Sequence, residues 1–431
     1  MSESYERIRV VWPDHLGLAR GKYVPASHLG RVARHCTGTW ALGFDRQMTP
    51  GTPGSFFFEG LPDMEALFLP DAIRPGWELR TGVVVADLER HGEPVAVAPR
   101  SALRRAVADW ADLGYVPEIG VELEAYLMEP DPASPGGWRP ISTPGAFVYG
   151  TGPAVDPHGL VDELWEAAER IGIEIEAMNS EYEESQFEFT LGHADALEAA
   201  DRTFLFKQMA RELAARRGYL WTFIGKPVTQ RGGSGLHVNL SFTGPDRRNA
   251  VNDPDGPDGI SPLARQATAG MLAHHRGLTG LCAPTVNAYR RLRPGQLAGY
   301  WANWGFDHRG VTVRIPPERG VAARLEHRLS DGAAPVHTAV AAVLQAARLG
   351  VVDKLELGPP ESGDGFDNVD ATVASPASLG EALEALEADG ALCDAVGKEL
   401  VQQHLAVKRA EWDRYCASTT DWELREYLPF L

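Results

Sequence analysis

Charged and polar residues recur at every second position in several short segments of this 431-residue chain. Glu122 and Glu124 flank a leucine, and the same spacing occurs in SQFEFT, GLHVNLSF and ARLEHRLSD. Alternate residues of a β-strand point to the same face, so each segment presents its polar side chains together. Carboxylates, a histidine and arginines on one face are unfavourable without partners, because like charges repel and desolvated charges need neutralisation. Divalent metal ions and a polyphosphate are suitable partners.

The carboxylates and the histidine of these segments form a candidate metal-binding set. Its members are Glu122, Glu124, Glu181, Glu188, His237 and Glu326. Oxygen and imidazole ligands suit hard divalent cations such as Mg²⁺ or Mn²⁺, and this set would serve two of them. It contains no cysteine, which argues against a structural zinc site. The alternative is that each strand shows a solvated polar face, as antiparallel strands commonly do.

The composition is that of an acidic globular protein, with 44% hydrophobic residues, 23% charged residues and a formal net charge of −18. No basic block offsets this charge, so we expect no nucleic-acid partner. The arginines cluster between Arg290 and Arg328, as a phosphate site requires. The four cysteines are scattered, which predicts reduced thiols. Without a signal-peptide core or a run of about 18 apolar residues, we expect a cytoplasmic protein with no membrane partner.

The elements that position these residues follow from hydrophobic periodicity and turn signals. Before residue 98, short strand segments such as RIRVVW and TGVVVADL are separated by turns rich in glycine and proline. A helix is predicted from near Ser101 to Gly114, and helices alternate with strands beyond it. We therefore expect two domains, 1–98 and 99–431.

Two more helix boundaries are marked by single residues. Gly218 is predicted to end a long helix whose apolar residues recur at three-to-four spacing, which is typical of core packing. Ser378 and Glu381 have the spacing of a capping box and predict a helix start.

Taken together, the chain resembles the glutamine synthetase family over nearly its whole length. The segments that carry the resemblance are, in order, LGLARGKYVP, PRSALRR, GGSGLHV, NAYRRLRPG, DHRGVTVRIP, ARLEHRLSD, VKRAEWDRY and DWELREYL. The resemblance implies an α+β fold. A small amino-terminal β-grasp-like domain would precede a catalytic domain whose curved antiparallel sheet is backed by helices. It also implies a ring-shaped homo-oligomer, such as a dodecamer, with active sites between subunits.

The resemblance implies a role for each position that matches a family motif. The implied ligands of the first metal ion are Glu124, Glu181 and Glu188, and those of the second are Glu122, His237 and Glu326. The residues implied to contact ATP are Glu176, Ser241 and the phosphate-binding Arg309, Arg314 and Arg324. The backbone of Gly233 is implied to complete the acid site, with Arg291 and Arg328 on the carboxylate and the transferred phosphoryl group. The residues that it implies for catalysis are Arg291, Arg309 and Arg328.

Several positions depart from the family pattern, and they concern the substrates. Members that use ammonia have a glutamate shortly after the RLxPG turn, where this chain has Leu297. A leucine cannot stabilise a cation by charge, but it can pack against the carbon chain of an organic amine. The loop asparagine that touches glutamate is replaced by Gly232, so the identity of the acid stays open. Family histidines are replaced by Asn179, Ser180 and Asn239.

The expected function is therefore an ATP-dependent ligase that forms a γ-glutamyl amide from glutamate and an organic amine through an acyl phosphate. ATP is the expected co-substrate, and Mg²⁺ or Mn²⁺ the expected cofactor. The alternatives are a glutamine synthetase that uses ammonia, a kinase that stops at the acyl phosphate, and a non-catalytic assembly protein. No P-loop or dinucleotide fingerprint is evident in the sequence, which disfavours Walker-type and Rossmann sites.

Asp45 is the nearest match to an acidic residue with which, in the family, one subunit completes its neighbour's ammonium site. The alternative is a turn residue, because Asp45 lies in a segment bounded by glycine and proline.

Overall fold

The computed structural model describes residues 5–28, 33–366 and 368–431. Two small sheets occupy the amino-terminal part, and their strands are β1 (Arg7–Pro13), β2 (Ala19–Pro25), β3 (Ala33–Cys36), β4 (Asp63–Leu67), β5 (Arg74–Pro75), β6 (Thr81–Val85), β7 (Asp87–Arg90) and β8 (Glu93–Pro94). The strand orders are β2-β1-β6-β5 and β3-β4-β7-β8. The predicted small domain of strands thus takes the form of two sheets.

The two small sheets enclose a hydrophobic cluster of their own. Strand β1 pairs in parallel with β6 and in antiparallel fashion with β2. Its residues Ile8, Val10 and Trp12 are buried against Trp40 and Met64. The whole cluster comes from residues 8–98. This separate core supports a domain division near residue 98, which stays a prediction.

A nine-stranded sheet forms the centre of the rest of the chain. Its strands are β9 (Val116–Pro130), β10 (Trp138–Pro140), β11 (Ile175–Ser180), β12 (Gln186–Asp195), β13 (Leu220–Thr222), β14 (Leu236–Thr243), β15 (Trp304–Phe306), β16 (Val313–Ile315) and β17 (Leu325–His327). The order is β11-β12-β9-β14-β17-β16-β15, and β10 and β13 also pair with β9. The pairings are antiparallel except that of β15 with β16, so the predicted antiparallel sheet is mixed at one edge.

The described residues also form helices, which pack against this sheet, against one another or at the surface. They are α1 (Pro99–Asp112), α2 (Leu160–Arg170), α3 (Ala196–Arg216), α4 (Pro262–Ala273), α5 (His275–Cys282), α6 (Ala288–Arg291), α7 (Val336–Val352), α8 (Leu379–Ala388), α9 (Gly390–Val396), α10 (Lys398–Cys416) and α11 (Asp421–Tyr427). The helix predicted from Ser101 begins at Pro99, because proline suits the first helical turn. Among the described residues, no helix is long and apolar enough to cross a membrane.

Alternation along β9 separates the two faces of the sheet. Ile119, Val121 and Leu123 are buried in the main hydrophobic cluster, which also contains residues of α1, α3 and α7. Glu122 and Glu124 alternate with these apolar residues along the strand and point to the opposite face. One face is therefore core, and the other is available for polar chemistry.

Candidate active site

The polar residues of the period-two segments meet on one side of the large sheet. In the sheet register, Glu188 of β12 lies opposite Glu124 of β9, and His237 of β14 lies opposite Glu122. Strand β17 adds Glu326 beside β14. A shift of one residue in any of these strands would move its carboxylates into the core, so burial of the apolar face fixes this register.

Glu122, Glu188 and His237 converge most closely, with one ligand atom from each within 4.8 Å of the others. Nδ1 of His237 lies 3.2 Å from Oε2 of Glu122. Nε2 of His237 is buried and has no hydrogen-bond partner among the described residues. A buried, unpartnered imidazole nitrogen beside carboxylates is costly unless a ligand completes it. The donor set therefore fits a divalent metal ion.

Glu124 and Glu326 extend this cluster on either side of the histidine. Nε2 of His237 lies 3.9 Å from Oε1 of Glu124, and Nδ1 lies 3.6 Å from Oε1 of Glu326. The other carboxylate oxygen of Glu124 accepts a hydrogen bond of 2.8 Å from the backbone N–H of Gly235. The glycine-rich loop before β14 is thereby tied to the carboxylate cluster.

Burial and mutual repulsion set the protonation of the carboxylates. Burial, followed by the charges of Glu122, Glu181 and Glu124, raises the pKa of Glu188 to about 8. Burial and the charge of Glu124 also raise the pKa of Glu181. Burial acts in the same direction on Glu122, but the hydrogen bond and charge of His237 prevail and lower its pKa to about 2. Glu181 and Glu188 therefore hold their protons more strongly than ordinary carboxyl groups, and a bound cation would offset the repulsion that contributes to this.

Two arginines hold the buried Glu326, which is 1% exposed. Nη1 of Arg314 donates a hydrogen bond of 2.7 Å to its Oε2, and Nη1 of Arg328 donates to its Oε1. Burial opposes ionisation, but the charges of Arg328 and His237 prevail and lower the pKa of Glu326. Glu326 is therefore an anion at neutral pH, and it fixes two of the predicted phosphate-side arginines.

Arg291, at the end of α6, is 4% exposed. Its Nη1 donates to the carbonyl of Leu329 at 3.0 Å and its Nη2 to that of Arg328 at 3.2 Å. A Cβ atom added to Gly235 would lie 2.6 Å from Nη2 of Arg291, and one on Gly233 would lie 2.8 Å from its Cγ. The glycine-rich loop therefore packs directly on this guanidinium, which carries no carboxylate partner within ion-pair distance among the described residues.

Three further residues are predicted to contact ATP, namely Glu176, Ser241 and Arg309. Glu176 is exposed and lies 3.5 Å from Nδ1 of His193. Ser241 lies opposite Glu118 in the β9–β14 register. Arg309 is exposed. Their roles toward ATP stay predictions.

Arg324 and Asn239 form a link that was not predicted. Asn239 donates a hydrogen bond of 3.0 Å to Oε1 of Glu122 and accepts one of 3.2 Å from Nε of Arg324. Asn239 thus connects a predicted metal ligand to a predicted phosphate-binding arginine. The sequence could have indicated Asn239, because it lies two residues after His237 and therefore on the same face of β14.

The two remaining predicted positions lie in loops. Leu297 is 50% exposed in the loop after α6. Asp45 accepts a hydrogen bond from the backbone N–H of Gln47 and lies 3.1 Å from Nη1 of Arg414 on α10. The predicted contact of Asp45 with a neighbouring active site stays a prediction.

The family model described as "Glutamine synthetase, catalytic domain" matches residues 96–427. The chain belongs to the glutamine synthetase family. A glutamine synthetase from Methanosarcina mazei is 30% identical over 98% of this chain and 95% of that protein. A glutamate–methylamine ligase from Methyloversatilis universalis is 31% identical over 97% of this chain and 95% of its own length.

Solved structures in the glutamine synthetase family have the same fold. One described as "Apo GmaS without ligand" matches with a TM-score of 0.86 and 30% identity, covering 99% of this chain and 97% of that one. A GmaS/ADP complex matches with a TM-score of 0.87 at the same identity and coverage. The predicted family and fold class are confirmed. Family members are ligases that use ATP and divalent metals, and Glu122, Glu188 and His237 form a candidate metal site.

Proposed function

We propose that the chain is an ATP-dependent ligase that joins the γ-carboxylate of glutamate to an organic amine through an acyl phosphate. The observation that carries the proposal is the convergence of Glu122, Glu188 and His237 near the buried Arg328 and Arg291. A carboxylate does not condense with an amine at neutral pH, so it must first be phosphorylated. Phosphoryl transfer depends on positioning and charge neutralisation, which this constellation supports.

Each group has one task in this proposal. Divalent cations held by the six predicted carboxylate and imidazole ligands would neutralise phosphate charge. Arg291, fixed by two backbone carbonyls, binds the carboxylate of the acid, and Arg328 contacts the transferred phosphoryl group. The phosphates of ATP are bound by Arg309, Arg314 and Arg324. Planar guanidinium groups suit these oxyanions because they donate two parallel hydrogen bonds.

Leu297 supports an organic amine as the nucleophile. Its apolar side chain is half exposed and stands where ammonia-using members have a glutamate. Similarity to a glutamate–methylamine ligase supports the same class of substrate. Ammonia is the second candidate, because other relatives of comparable identity are named glutamine synthetase.

The test measures phosphate release from ATP with glutamate and Mg²⁺ or Mn²⁺ present, across ammonium and a panel of alkyl and aryl amines. We expect release to depend on an organic amine and to be weak with ammonium. Strong release with ammonium and no preference for any amine would support a glutamine synthetase instead. Release without any amine would indicate a kinase, and no release under any condition would indicate a non-catalytic protein.

A further inference from the structure

A cavity of about 440 Å³ lies apart from the carboxylate cluster. It is bounded by the turn between β1 and β2, by α3, and by the segment before α6. Its apolar walls include Leu16, Phe44, Phe223, Ile224 and Val286. None of the predicted metal ligands lines it. Its volume is within the range of small-molecule sites.

Two cations on α3 line this cavity. Lys207 and Arg211 are separated by one helical turn, so their side chains lie on the same face. Neither forms an ion pair with any other residue that the structure describes. Nζ of Lys207 donates to the backbone carbonyls of Gly332 at 2.7 Å and Ala334 at 3.3 Å, and it lies 5.3 Å from the centroid of the Phe223 ring.

The other described charged groups that line the cavity do not pair with Lys207 or Arg211. Glu411 lies 2.8 Å from Nζ of Lys408, so its charge is already matched. His337 contacts Asp201 through Nε2, at 2.8 Å. Burial, opposed by Asp331 and assisted by Arg211, lowers the pKa of Lys207 to about 8. In a chain with a net charge of −18, two adjacent cations that form no ion pair with another described residue and lie beside apolar walls indicate a site for an anion.

The cavity shares its walls with segments that build the active site. Asn287 lines it and holds both backbone groups of Lys226, accepting from N–H at 2.7 Å and donating to the carbonyl at 3.0 Å. Asn287 also directly precedes α6, which carries Arg291. Phe223 and Ile224 lead into the glycine-rich loop. A molecule bound in the cavity would therefore contact the segments that lead into α6 and into the glycine-rich loop, and both of these flank the acid site.

We propose that this cavity binds a small carboxylate with an aliphatic or aromatic body, and that binding alters turnover at the neighbouring active site. The carboxylate pairs with Lys207 and Arg211, and the apolar body packs against Leu16, Phe44 and Val286. The effect on turnover rests on the proposed ligase function, whereas binding does not. An effector of this kind acts through its different affinities for two arrangements of the loop.

The binding test uses isothermal titration of the full-length chain with 4-phenylbutyrate, and with its uncharged analogue 4-phenylbutyramide. We expect the acid to bind, and the amide to bind roughly tenfold more weakly or worse because it lacks the charge-assisted bonds. Arg211→Met and Lys207→Met should each weaken the acid by a similar factor. Lys398→Met, which removes an exposed lysine on α10 outside the cavity, should leave binding unchanged.

Arg211→Met keeps the test decisive if Lys207→Met fails to fold, because Arg211 is exposed and has no hydrogen bond to another described residue. Equal binding of acid and amide, or unchanged binding by Arg211→Met, would overturn the proposed site. So would displacement of 4-phenylbutyrate by glutamate, because the acid would then occupy the active site.

The turnover test adds 4-phenylbutyrate to the phosphate-release assay with the best amine. We expect the rate to change for the parent chain and to stay constant for Arg211→Met. Binding without any change in rate would refute the effector role alone. A chain that releases no phosphate with any amine would refute the ligase proposal, and the titration would still decide whether the cavity binds carboxylates.

Discussion

His237 is the residue on which the carboxylate cluster depends most directly. Its Nδ1 faces Glu122 and Glu326, and its Nε2 points toward Glu124 without a hydrogen-bond partner among the described residues. Glu188 completes the closest group of ligand atoms. The pKa values of Glu122 and Glu188 differ because the imidazole of His237 stabilises the charge of Glu122, whereas burial and neighbouring carboxylates oppose the charge of Glu188.

Glu188→Ala removes one of the three most closely converging ligands. We expect metal-dependent phosphate release to fall about 100-fold or more, because the phosphate charge is no longer fully neutralised. The stabilisation of the parent by Mn²⁺, measured as a rise in the thermal midpoint, should shrink as well. Glu166→Ala, which removes an exposed carboxylate on α2, is the matched control and should behave like the parent. Parent-like turnover by Glu188→Ala would show that the site is assigned wrongly.

Leu297→Glu restores the side chain found in ammonia-using family members. We expect the ratio of ammonium-dependent to amine-dependent phosphate release to rise, because a carboxylate can bind and deprotonate ammonium whereas leucine cannot. Leu297→Met is the matched control, since it keeps an apolar side chain of similar size and should keep the preference for organic amines. An unchanged ratio in Leu297→Glu would show that this position does not select the amine.

At the scale of elements, the glycine-rich loop packs against Arg291, the arginine predicted to bind the acid. Gly235→Ala would place a Cβ atom 2.6 Å from Nη2 of Arg291 and 3.1 Å from Nε2 of His237. Arg291 cannot move freely, because two backbone carbonyls hold its guanidinium. We expect a higher KM for the acid together with a lower kcat.

The control for this loop is a glycine of the same sheet. A Cβ atom on Gly120 would lie 3.6 Å from its nearest neighbours, an ordinary contact, so Gly120→Ala should retain parent kinetics. Equal kinetics for Gly235→Ala and Gly120→Ala would contradict the role given to the loop.

Local patterns predicted the elements well where one face is buried. Period-two spacing placed Glu122, Glu124 and His237 on one face of β9 and β14, as the structure shows. The predicted helix start is also confirmed, since Ser378 precedes α8 and its Oγ accepts the N–H of Glu381. The full capping box is not formed, because the Glu381 carboxylate accepts the N–H of Ala377 and not that of Ser378. These features depend on residues that are close together in the sequence, so they can be predicted from the sequence alone.

Pairing between distant strands could not be predicted in the same way. The parallel pairing of β15 with β16 and the division of the amino-terminal strands into two sheets depend on tertiary contacts. The hydrogen bonds of Asn239 to Glu122 and Arg324 need β9, β14 and the residue before β17 to lie side by side. Periodicity gives the face of a residue, but not its neighbour across the sheet.

At the scale of the whole molecule, buried neutral histidines link stability to pH. Burial lowers the pKa of His15 and His275 to about 4, and that of His327 and His404 to about 3. In the unfolded chain these side chains take up protons near pH 6.5, whereas in the folded chain they stay neutral. Their stabilising contribution is therefore complete above about pH 6.5 and is lost as the pH falls toward 4.

We expect the free energy of unfolding to fall by about 1.4 kcal/mol per buried histidine between pH 8 and pH 5.5. His404→Gln tests this slope, since the amide of glutamine can also donate to the carbonyl of Gly280, which lies 2.9 Å from Nε2 of His404. The thermal midpoint of the variant should depend less on pH than that of the parent. An identical pH dependence would mean that His404 does not contribute.

The segment from residue 421 to residue 431 exposes several large apolar side chains. Helix α11 has no buried residue. The exposed apolar residues at this end are Trp422, Leu424, Tyr427, Leu428, Phe430 and Leu431. Exposed apolar clusters mark interaction surfaces, and a homo-oligomer offers a second copy of the chain as the partner.

The last prediction is that the chain forms a large homo-oligomer that this segment stabilises. Deletion of residues 421–431 should shift the mass measured by light scattering after size-exclusion chromatography to smaller species, because the apolar contacts are lost. Arg425→Ala is the matched control, since it changes an exposed residue of α11 but leaves its apolar side chains, and it should keep the parent mass. Phosphate release should fall with the mass if neighbouring subunits complete each active site. A parent chain that is monomeric and fully active would contradict both the assembly and the shared site.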